Sequence, residues 1–317
     1  MDERLRMIAA ERGTFSRADA LALGYDDRAI QAQVRAGAWH RVRRGAFVPA
    51  DVWRSLGEVD RHRRMVRAVV RSARCDVVVS HTSAAIELGA PVWNLDLGAV
   101  HVTRSDGRSG RRVPQVVQHR GKLEEHDVVE VDGLRVTSGT RTALDITTIA
   151  DTEHSLVVVD GLLHLGRTSE AQLRESLARF KHWPGTLHTD LILHLTERRC
   201  ESAGETRLNY LCYAAGIPKP IPQYEIWDGD TFVARVDFAW PELGVFLEFD
   251  GKVKYTRYRS LANKSLEQVI LEEKQREERI CELTGWRCIR ITWADLATPD
   301  RTAARIRRLF RPTREPA

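Results

Sequence analysis

The sequence predicts a mixed α/β protein of three domains, and three patterns support this. In the first part of the chain, short helical patterns are separated by glycines and end in a basic hairpin. The middle alternates strand-like and helical runs, and the last third reads as a helix, three strands, a long helix and a final strand. At 317 residues the chain exceeds what one hydrophobic core normally organises. We place the domains at residues 1–55, 56–197 and 198–317.

The composition is that of a globular protein with a slight preference for polyanions. Hydrophobic residues make up 43% and charged residues 29% of the chain, which excludes a disordered protein, and the formal net charge is +5. No apolar run is long enough to span a membrane, and the first residues are charged where a secretion signal would be apolar. We therefore expect a cytoplasmic protein with no membrane partner. The five cysteines form no CxxC pair, which argues against a zinc ribbon or a disulfide framework.

Polar caps mark three helices in the first domain. Residues 2–12 have helical spacing. Ser16 and Asp19 have the spacing of a capping box at the start of a second helix. Asp26 or Asp27 can cap a third helix, whose apolar side faces the other two. The three helices are short enough to form one small module.

A basic hairpin follows the third helix. The segment AWHRVRRGAFVPA suits two short strands with a turn at Arg44 and Gly45, and its basic residues have no acid between them. Three short helices and a basic hairpin are typical of a winged helix-turn-helix domain, which binds DNA. The alternative is a packing module with a solvated charged face. On the first interpretation, the residues that contact DNA are Arg28, Gln31, Arg35, Arg41, Arg43 and Arg44.

The middle domain, residues 56–197, begins with a strongly basic helix that we interpret mainly as a hinge. Three histidines beside its strands, His81, His101 and His119, are conceivable ligands. No carboxylate or cysteine stands at ligand spacing from any of them, and a lone histidine near a strand is more often a packing residue. We therefore assign no chemistry to this domain.

Acidic residues interrupt two apolar strands of the last domain. Asp237 lies within VARVDFAW, and Glu248 and Asp250 lie within VFLEFDG. Positions i and i+2 of a strand point to the same face, so Glu248 and Asp250 are neighbours whose like charges destabilise the strand unless a cation compensates them. Asp237 is within pairing reach on the adjacent strand. Oxygen ligands with no histidine nearby suit Mg²⁺ or Mn²⁺ rather than zinc.

Lysines concentrate in the same region. Only seven of the 49 basic residues are lysines, and four of the seven lie between Lys252 and Lys274. A compact ammonium group can stabilise the charge that develops during phosphoryl transfer. Lys252, Lys254 and Lys274 are therefore candidates for a catalytic cation, and the sequence leaves the choice among them open.

A resemblance to a nuclease superfamily is carried by ESAGETRLNYL, VDFAWPE, LEFDGKVKY and EEKQREERICELTGWRCIRITWADL. These segments, within about residues 200–297, resemble the very-short-patch-repair-like endonuclease domains of the restriction-endonuclease-like PD-(D/E)XK superfamily. The resemblance implies a restriction-endonuclease-like α/β fold in which Glu205 is the helix acid. Asp237 and either Glu248 or Asp250 would be the metal ligands, with a nearby lysine as the positive group. The implied activity is Mg²⁺-dependent hydrolysis of DNA phosphodiester bonds.

A second resemblance covers the first domain and much of the middle one. The segments GTFSRADALALGY, WHRVRRGAFVP, VVSHTSAAIELG and VTSGTRTALD resemble AbiEi-type antitoxins of abortive-infection systems, in which the winged helix represses its own promoter. This implies double-stranded DNA as one partner and a toxin or other defence-system protein as another. The leading hypothesis is a DNA-binding endonuclease of defence or repair. The alternative is a non-catalytic repressor whose nuclease-like domain only binds.

Overall fold

The computed structural model of the chain describes residues 2–104, 106, 112–180, 185–251 and 266–310. The chain divides into two compact units, residues 1–194 and 195–317. Helices accompany a three-stranded, a six-stranded and a four-stranded sheet, so the predicted mixed α/β class is confirmed. The three-domain division at residues 1–55, 56–197 and 198–317 stays a prediction. None of the helices in the described ranges is both long and apolar enough to cross a membrane.

The start of the first unit consists of short helices and a three-stranded antiparallel sheet of order β1-β3-β2. The elements are α1 (Glu3–Arg12), β1 (Phe15–Ser16), α2 (Arg17–Ala22), α3 (Asp27–Arg35), β2 (Trp39–Arg43), β3 (Ala46–Pro49) and α4 (Ala50–Ser55). Trp39, which is only 1% exposed, meets Phe15 edge-on with ring centroids 4.8 Å apart. This aromatic contact lies in the core between the helices and the sheet.

The polar caps predicted from the sequence are present. The Ser16 N–H donates to Asp19 Oδ2 at 2.6 Å, and the Asp19 N–H donates to Ser16 Oγ at 3.1 Å, which makes the capping box of α2. Asp26 caps α3 by accepting the N–H of Ala29 at 2.7 Å. Between the hairpin strands, Gly45 has a φ of +79°, a conformation that favours glycine. The sequence did not indicate β1, because a two-residue strand carries no periodicity.

The rest of the first unit surrounds a six-stranded sheet of order β6-β7-β5-β4-β9-β8. Its strands are β4 (Val77–Val79), β5 (Val100–Arg104), β6 (Arg112–Val113), β7 (Val116–Arg120), β8 (Val128–Val131) and β9 (Leu134–Thr137). Its helices are α5 (Glu58–Ser72), α6 (His81–Glu87), α7 (Gly139–Thr147), α8 (Thr152–His164), α9 (Glu170–Phe180) and α10 (Thr189–Leu195). Strands β5 and β7 are parallel neighbours, whereas β4 and β5 are antiparallel.

Two arginines of the basic helix α5 donate hydrogen bonds to backbone carbonyl groups near the N-terminus. Arg64 Nη1 donates to the carbonyl oxygen of Ala9 at 2.8 Å, and Arg71 Nη1 donates to that of Thr14 at 2.9 Å. These bonds satisfy carbonyl groups at and after the end of α1. These bonds join α5 to α1 and to the residues that follow it, and the interpretation of α5 as a hinge stays a prediction.

The second unit has one mixed sheet of order β10-β11-β12-β13. Its elements are α11 (Ala203–Ala214), β10 (Ile221–Asp228), β11 (Thr231–Trp240), β12 (Val245–Asp250), α12 (Leu266–Thr284), β13 (Arg287–Thr292), α13 (Trp293–Leu296) and α14 (Pro299–Leu309). The first three strands are antiparallel, and β13 is parallel to β12. A parallel pair needs a crossover connection, and α12 lies in that connection.

Strand β12 is buried on both faces. Leu247 and Phe249 belong to the hydrophobic cluster that contains Leu208 of α11. Phe246 belongs to a different cluster, which contains Ile280 of α12. Because side chains alternate along a strand, the acids at even-numbered positions of β12 share the face of Phe246 and α12.

We expect residues 195–317 to fold without the first unit, since their two hydrophobic clusters involve only their own elements. A fragment of these residues should unfold cooperatively in a thermal melt followed by circular dichroism. A shorter fragment, residues 216–317, lacks Leu208 and Leu211 and should show no cooperative transition. Equal behaviour of both fragments would contradict this assignment of the core.

Candidate functional site

One face of α3 presents long polar side chains. Arg28, Gln31 and Arg35 are exposed, whereas Ile30 is buried in the core of the module. Their spacing of three and four residues places the three side chains on one side of the helix. These are the helix residues that the sequence predicted to contact DNA.

The hairpin of β2 and β3 continues this surface. Arg41 on β2 and Arg44 at the turn are exposed. Arg41 Nη2 donates a hydrogen bond of 2.8 Å to Gln31 Oε1 on α3. The Arg41 guanidinium also lies 6.0 Å from the ring centroid of Phe47, within range of a cation–π contact. The structure therefore brings the predicted helix residues and the predicted hairpin residues onto one basic surface.

Two other basic residues of the hairpin, His40 and Arg43, are less accessible for contact with a phosphate. Arg43 is half-buried, its Nη1 has no hydrogen-bond partner among the described residues, and burial lowers the pKa of its guanidinium. The His40 ring stacks on Trp53 with centroids 4.3 Å apart. Burial, and then the charge of Arg61, lower the pKa of His40, so its ring is neutral near pH 7. Arg41 and Arg44 are thus the better placed hairpin residues for a phosphate.

In the second unit, Asp237 lies where the β11–β12 ladder ends. The last register pair on this side joins Phe238 to Leu247. Continuing the same register places Asp237 opposite Glu248. Asp237 is buried, and its Oδ2 accepts the backbone N–H of Phe249 at 2.7 Å. The Asp237 carboxylate thus accepts a hydrogen bond from the backbone of β12 at the point where the β11–β12 backbone hydrogen bonds end.

Glu248 has a cationic partner from α12. Arg276 Nη2 donates to Glu248 Oε1 at 2.6 Å, and the Glu248 side chain is only 8% exposed. Arg276 Nη1 also donates to the carbonyl oxygen of Arg235 on β11 at 3.2 Å. The sequence predicted that a cation must compensate the acids of β12. An arginine 28 residues farther along the chain supplies such a charge.

Glu205 holds the start of α11 to β10. It is buried, with Oε1 accepting from Ser202 Oγ at 2.6 Å. Its Oε2 accepts from the Glu201 N–H at 3.0 Å and from Gln223 Nε2 at 2.9 Å. A carboxylate at this position also lies favourably at the N-terminal end of the helix dipole. Its described contacts are those of a helix cap.

Of the remaining residues of the predicted nuclease site, the structure describes Asp250 and Lys274. Asp250 is half-buried at the end of β12. The Lys274 side chain is 73% exposed and its Nζ lies 4.0 Å from Glu278 Oε1 on the same helix. Lys252 and Lys254 lie outside the described residues. Arg276, which the sequence analysis did not assign to the site, is the basic residue of α12 that contacts a strand acid.

Among the described residues, the acids of the second unit do not form a tight ligand group. In all the described ranges, one group of three or more His, Cys, Asp or Glu residues has its ligand atoms within 4.8 Å of one another. It consists of His81, His101 and His119 of the first unit. Asp237 lies opposite Glu248 when the β11–β12 register is continued by one pair. Their described contacts go to a backbone N–H and to an arginine.

The three histidines lie close together. His101 is on β5, His119 is on β7, and His81 follows the end of β4. The His81 and His119 rings stack with centroids 3.5 Å apart and an interplanar angle of 15°. His101 Nδ1 lies 2.9 Å from His119 Nε2. A carboxylate is also close, because Asp145 Oδ2 is 3.9 Å from His81 Nδ1. The three histidines are therefore clustered, and a carboxylate lies near His81 that the sequence spacing did not indicate, while their interpretation as packing residues stays a prediction.

Burial lowers the pKa of two of these rings, His81 and His119. The pKa of His81 is lowered well below its ordinary value, first by burial and then by His101 and Arg141. Burial and the two neighbouring histidines lower the pKa of His119 to about 3. In contrast, burial raises the pKa of Asp145, even though Arg141 donates to it at 2.8 Å. The cluster thus places two imidazoles whose pKa is lowered near a carboxylate whose pKa is raised.

Comparisons with known proteins agree with the N-terminal part of this description. Residues 3–50, which form α1 to β3, match the family "Transcriptional regulator, AbiEi antitoxin". Two uncharacterized proteins of Mycobacterium tuberculosis, MT2308 of strain CDC 1551 / Oshkosh and Rv2248 of strain ATCC 25618 / H37Rv, are each 26% identical over 245 residues. These alignments cover 75% of this chain and 85% of each relative.

A crystal structure of the RV2827C protein from Mycobacterium tuberculosis aligns with 71% of this chain and 88% of its own, at 14% identity and a TM-score of 0.39. The antitoxin-like resemblance of the N-terminal region is supported by the family match over residues 3–50.

We expect the ion pair of Glu248 and Arg276 to stabilise the second unit. Arg276→Met leaves a buried carboxylate without this partner and should lower the free energy of unfolding by about 1–3 kcal/mol in urea titrations. The double variant Arg276→Met with Glu248→Gln should recover part of the loss, because the charge is removed as well. Lys274→Met, a charge change at an exposed position of the same helix, should cost no more than about 0.5 kcal/mol. Equal losses for Arg276→Met and Lys274→Met would contradict the pairing.

Proposed function

We propose that the chain is a DNA-binding transcriptional regulator of the AbiEi antitoxin type, and that its first helices and hairpin act as a winged helix-turn-helix domain. The observation that carries this proposal is the basic surface on which α3 and the hairpin are joined by the Arg41–Gln31 hydrogen bond. The match of residues 3–50 to the AbiEi regulator family supports it.

Each part of the surface suits one kind of contact. Helix α3 is the recognition helix, and its Arg28, Gln31 and Arg35 are side-chain types that hydrogen-bond guanine or adenine edges in the major groove. Arg41 and Arg44 of the hairpin are placed to contact phosphates, which fix the protein on the duplex without reading sequence. The bond from Arg41 to Gln31 orients both side chains before DNA binds.

The antitoxin family also suggests a protein partner. A toxin, or another protein of the same defence system, would be the second binding partner of the chain. Repression of a promoter by the N-terminal domain and binding of a toxin are separable activities. They can therefore be assayed independently.

A second candidate function is Mg²⁺-dependent cleavage of DNA by a restriction-endonuclease-like second unit. The observation that favours it is that two buried acids lie on adjacent strands, where continuing the β11–β12 register places Asp237 opposite Glu248. A helix acid at Glu205 precedes them and Asp250 follows, in the order that the PD-(D/E)XK superfamily uses. We propose this activity as secondary, because the described contacts of these acids also serve the fold.

The donors present fit the metal that this activity requires. Mg²⁺ or Mn²⁺ would be held by Asp237 and by Glu248 or Asp250, since Mg²⁺ sites commonly use one or two carboxylates and water. Bound there, the ion would polarise the phosphate and lower the pKa of a water molecule. Arg276 and one of Lys252, Lys254 and Lys274 would supply positive charge toward the phosphate. Glu205 would support the site from α11.

The DNA-binding proposal predicts a change in affinity and in salt dependence. Replacing Arg41 and Arg44 together by alanine should remove two phosphate contacts. The slope of log Kobs against log salt should then fall by about two, with a weaker Kd for a duplex at every salt concentration. Fluorescence anisotropy of a labelled duplex measures both quantities.

A matched control replaces Arg4 and Arg12 by alanine. These are two exposed arginines of α1, outside α3 and the hairpin. This variant has the same net charge as the first but should keep the wild-type slope within about half a unit. If both double variants change the slope equally, binding reflects net charge and the assigned surface is wrong.

The nuclease proposal predicts a Mg²⁺-dependent activity that Asp250→Asn abolishes. The amide keeps the shape of the side chain but loses the charge that attracts the ion. Wild type should nick supercoiled plasmid in Mg²⁺ or Mn²⁺, and the variant should not, while both bind duplex DNA with equal affinity. Without metal, the variant should melt at a higher temperature because a like-charge pair is gone. Duplex binding without any nicking by the wild type would leave the regulator alone as the function.

A further inference from the structure

We propose that His81, His101 and His119 form a binding site for one divalent transition-metal ion, with Zn²⁺ as the preferred ion. Asp145 is assigned as the carboxylate that positions His81. This site lies in the first unit and is separate from the acids of the proposed nuclease site.

The first argument is the convergence of ligand atoms. One ligand nitrogen from each histidine can be chosen so that all three lie within 4.8 Å of one another. Zinc–nitrogen bonds are about 2.0–2.1 Å long, so nitrogens bound to one ion are roughly 3.3 Å apart in a tetrahedron. Small rotations of the rings close the remaining gap. No movement of the strands is needed.

The second argument is an unmet acceptor beside the cluster. Asp145 Oδ2 is buried and has no hydrogen-bond partner within the described part of the chain, although its Oδ1 accepts from Arg141. It lies 3.9 Å from His81 Nδ1. A histidine that binds a metal usually donates its other ring N–H to a carboxylate, which fixes the ring and raises its basicity. Nδ1 of His81 lies 3.0 Å from Ser80 Oγ and 3.9 Å from Asp145 Oδ2, so Nε2 would be the ligand atom.

The chemistry of the donors selects the ion. Three imidazoles without a thiolate suit Zn²⁺ and its neighbours in the first transition row, and they do not suit Mg²⁺ or Ca²⁺. Three protein ligands leave a fourth position for water or another small ligand. His81 is buried, whereas His101 and His119 are half-buried, so an ion can reach the cluster from the side of these two rings.

The competing explanation is packing alone. In that case, His101 and His119 share one hydrogen bond of 2.9 Å, and His81 stacks on His119 without any ion. Packing explains these two contacts but leaves the buried Asp145 oxygen unmet. Metal binding and packing predict different results when an ion is offered.

The experiment uses the full-length chain, stripped with EDTA and desalted. Zn²⁺ is titrated against a chromophoric chelator, the stoichiometry is measured by metal analysis, and Co²⁺ is used as a spectroscopic probe. Wild type should bind one Zn²⁺ per chain at the histidines, and Co²⁺ should give the visible absorption bands of a site with imidazole ligands. Zn²⁺ at about 100 times its Kd should raise the melting temperature of the transition that contains this site by roughly 5–10 °C.

Variants assign the binding to the cluster. His101→Gln and His119→Gln should each weaken Zn²⁺ binding by at least about 100-fold, and Asp145→Asn should weaken it by roughly 10–100-fold with the stoichiometry unchanged. His154→Gln removes a histidine that bonds Asp151 at 2.7 Å outside the cluster, so it should bind as wild type does.

Two results would overturn the proposal. The first is a wild-type chain that takes no Zn²⁺ from the chelator and gives no Co²⁺ absorption. The second is wild-type affinity in both His101→Gln and His119→Gln. Should either variant fail to fold, the Co²⁺ spectrum of the wild type decides, since imidazole coordination supports the site and its absence contradicts it.

Discussion

A carboxylate buried in a sheet must be met by hydrogen-bond donors or by a positive charge, because an unmet buried charge is strongly destabilising. The second unit meets this requirement with contacts that also join its elements. Asp237 accepts the N–H of Phe249 and closes the end of the β11–β12 ladder. Glu248 accepts from Arg276 and ties α12 to the sheet. The acids that resemble a nuclease site are therefore also part of what holds this unit together.

This double role changes what the acids imply about function. A carboxylate that closes a strand ladder contributes to folding in a catalytic and in a non-catalytic protein, so its presence alone does not indicate cleavage. The surface of α3 and the hairpin differs in this respect. Arg28, Arg35 and Arg44 are exposed and do not contribute to the core of the module. A basic surface favours a polyanion, and the family match over residues 3–50 adds independent support, so we propose regulation of DNA as the leading function.

Local signals in the sequence predicted local structure correctly. The capping box of Ser16 and Asp19, the Asp26 cap and the hairpin turn at Gly45 each depend on residues within a few positions of one another. The pattern also identified two buried strands that carry acids. It did not identify Arg276 as the partner of Glu248, because that choice depends on where α12 packs after a long connection.

The histidine cluster shows the same limit. His101 and His119 meet because β5 and β7 are parallel neighbours, in a register that pairs His101 with Val117 and Thr103 with His119. His119 is two positions from Val117, the residue opposite His101, so the two histidines lie on the same face of the sheet. This pairing brings together two histidines that are 18 residues apart in the chain, with β6 between their strands. The hydrophobic periodicity of the sequence does not predict which strands are neighbours.

The two units therefore differ in how completely the fold compensates their buried polar groups. In the second, the described contacts of Asp237 and Glu248 are a backbone donor and an arginine, both supplied by the chain. In the first, three imidazoles converge beside an oxygen of Asp145 that has no hydrogen-bond donor among the described residues. An ion bound to Nε2 of His81 would complete this arrangement, because it fixes the ring N–H on Nδ1, which lies 3.9 Å from Asp145 Oδ2. By this reasoning, the stronger structural case for a metal ion lies in the unit whose sequence pattern indicated none.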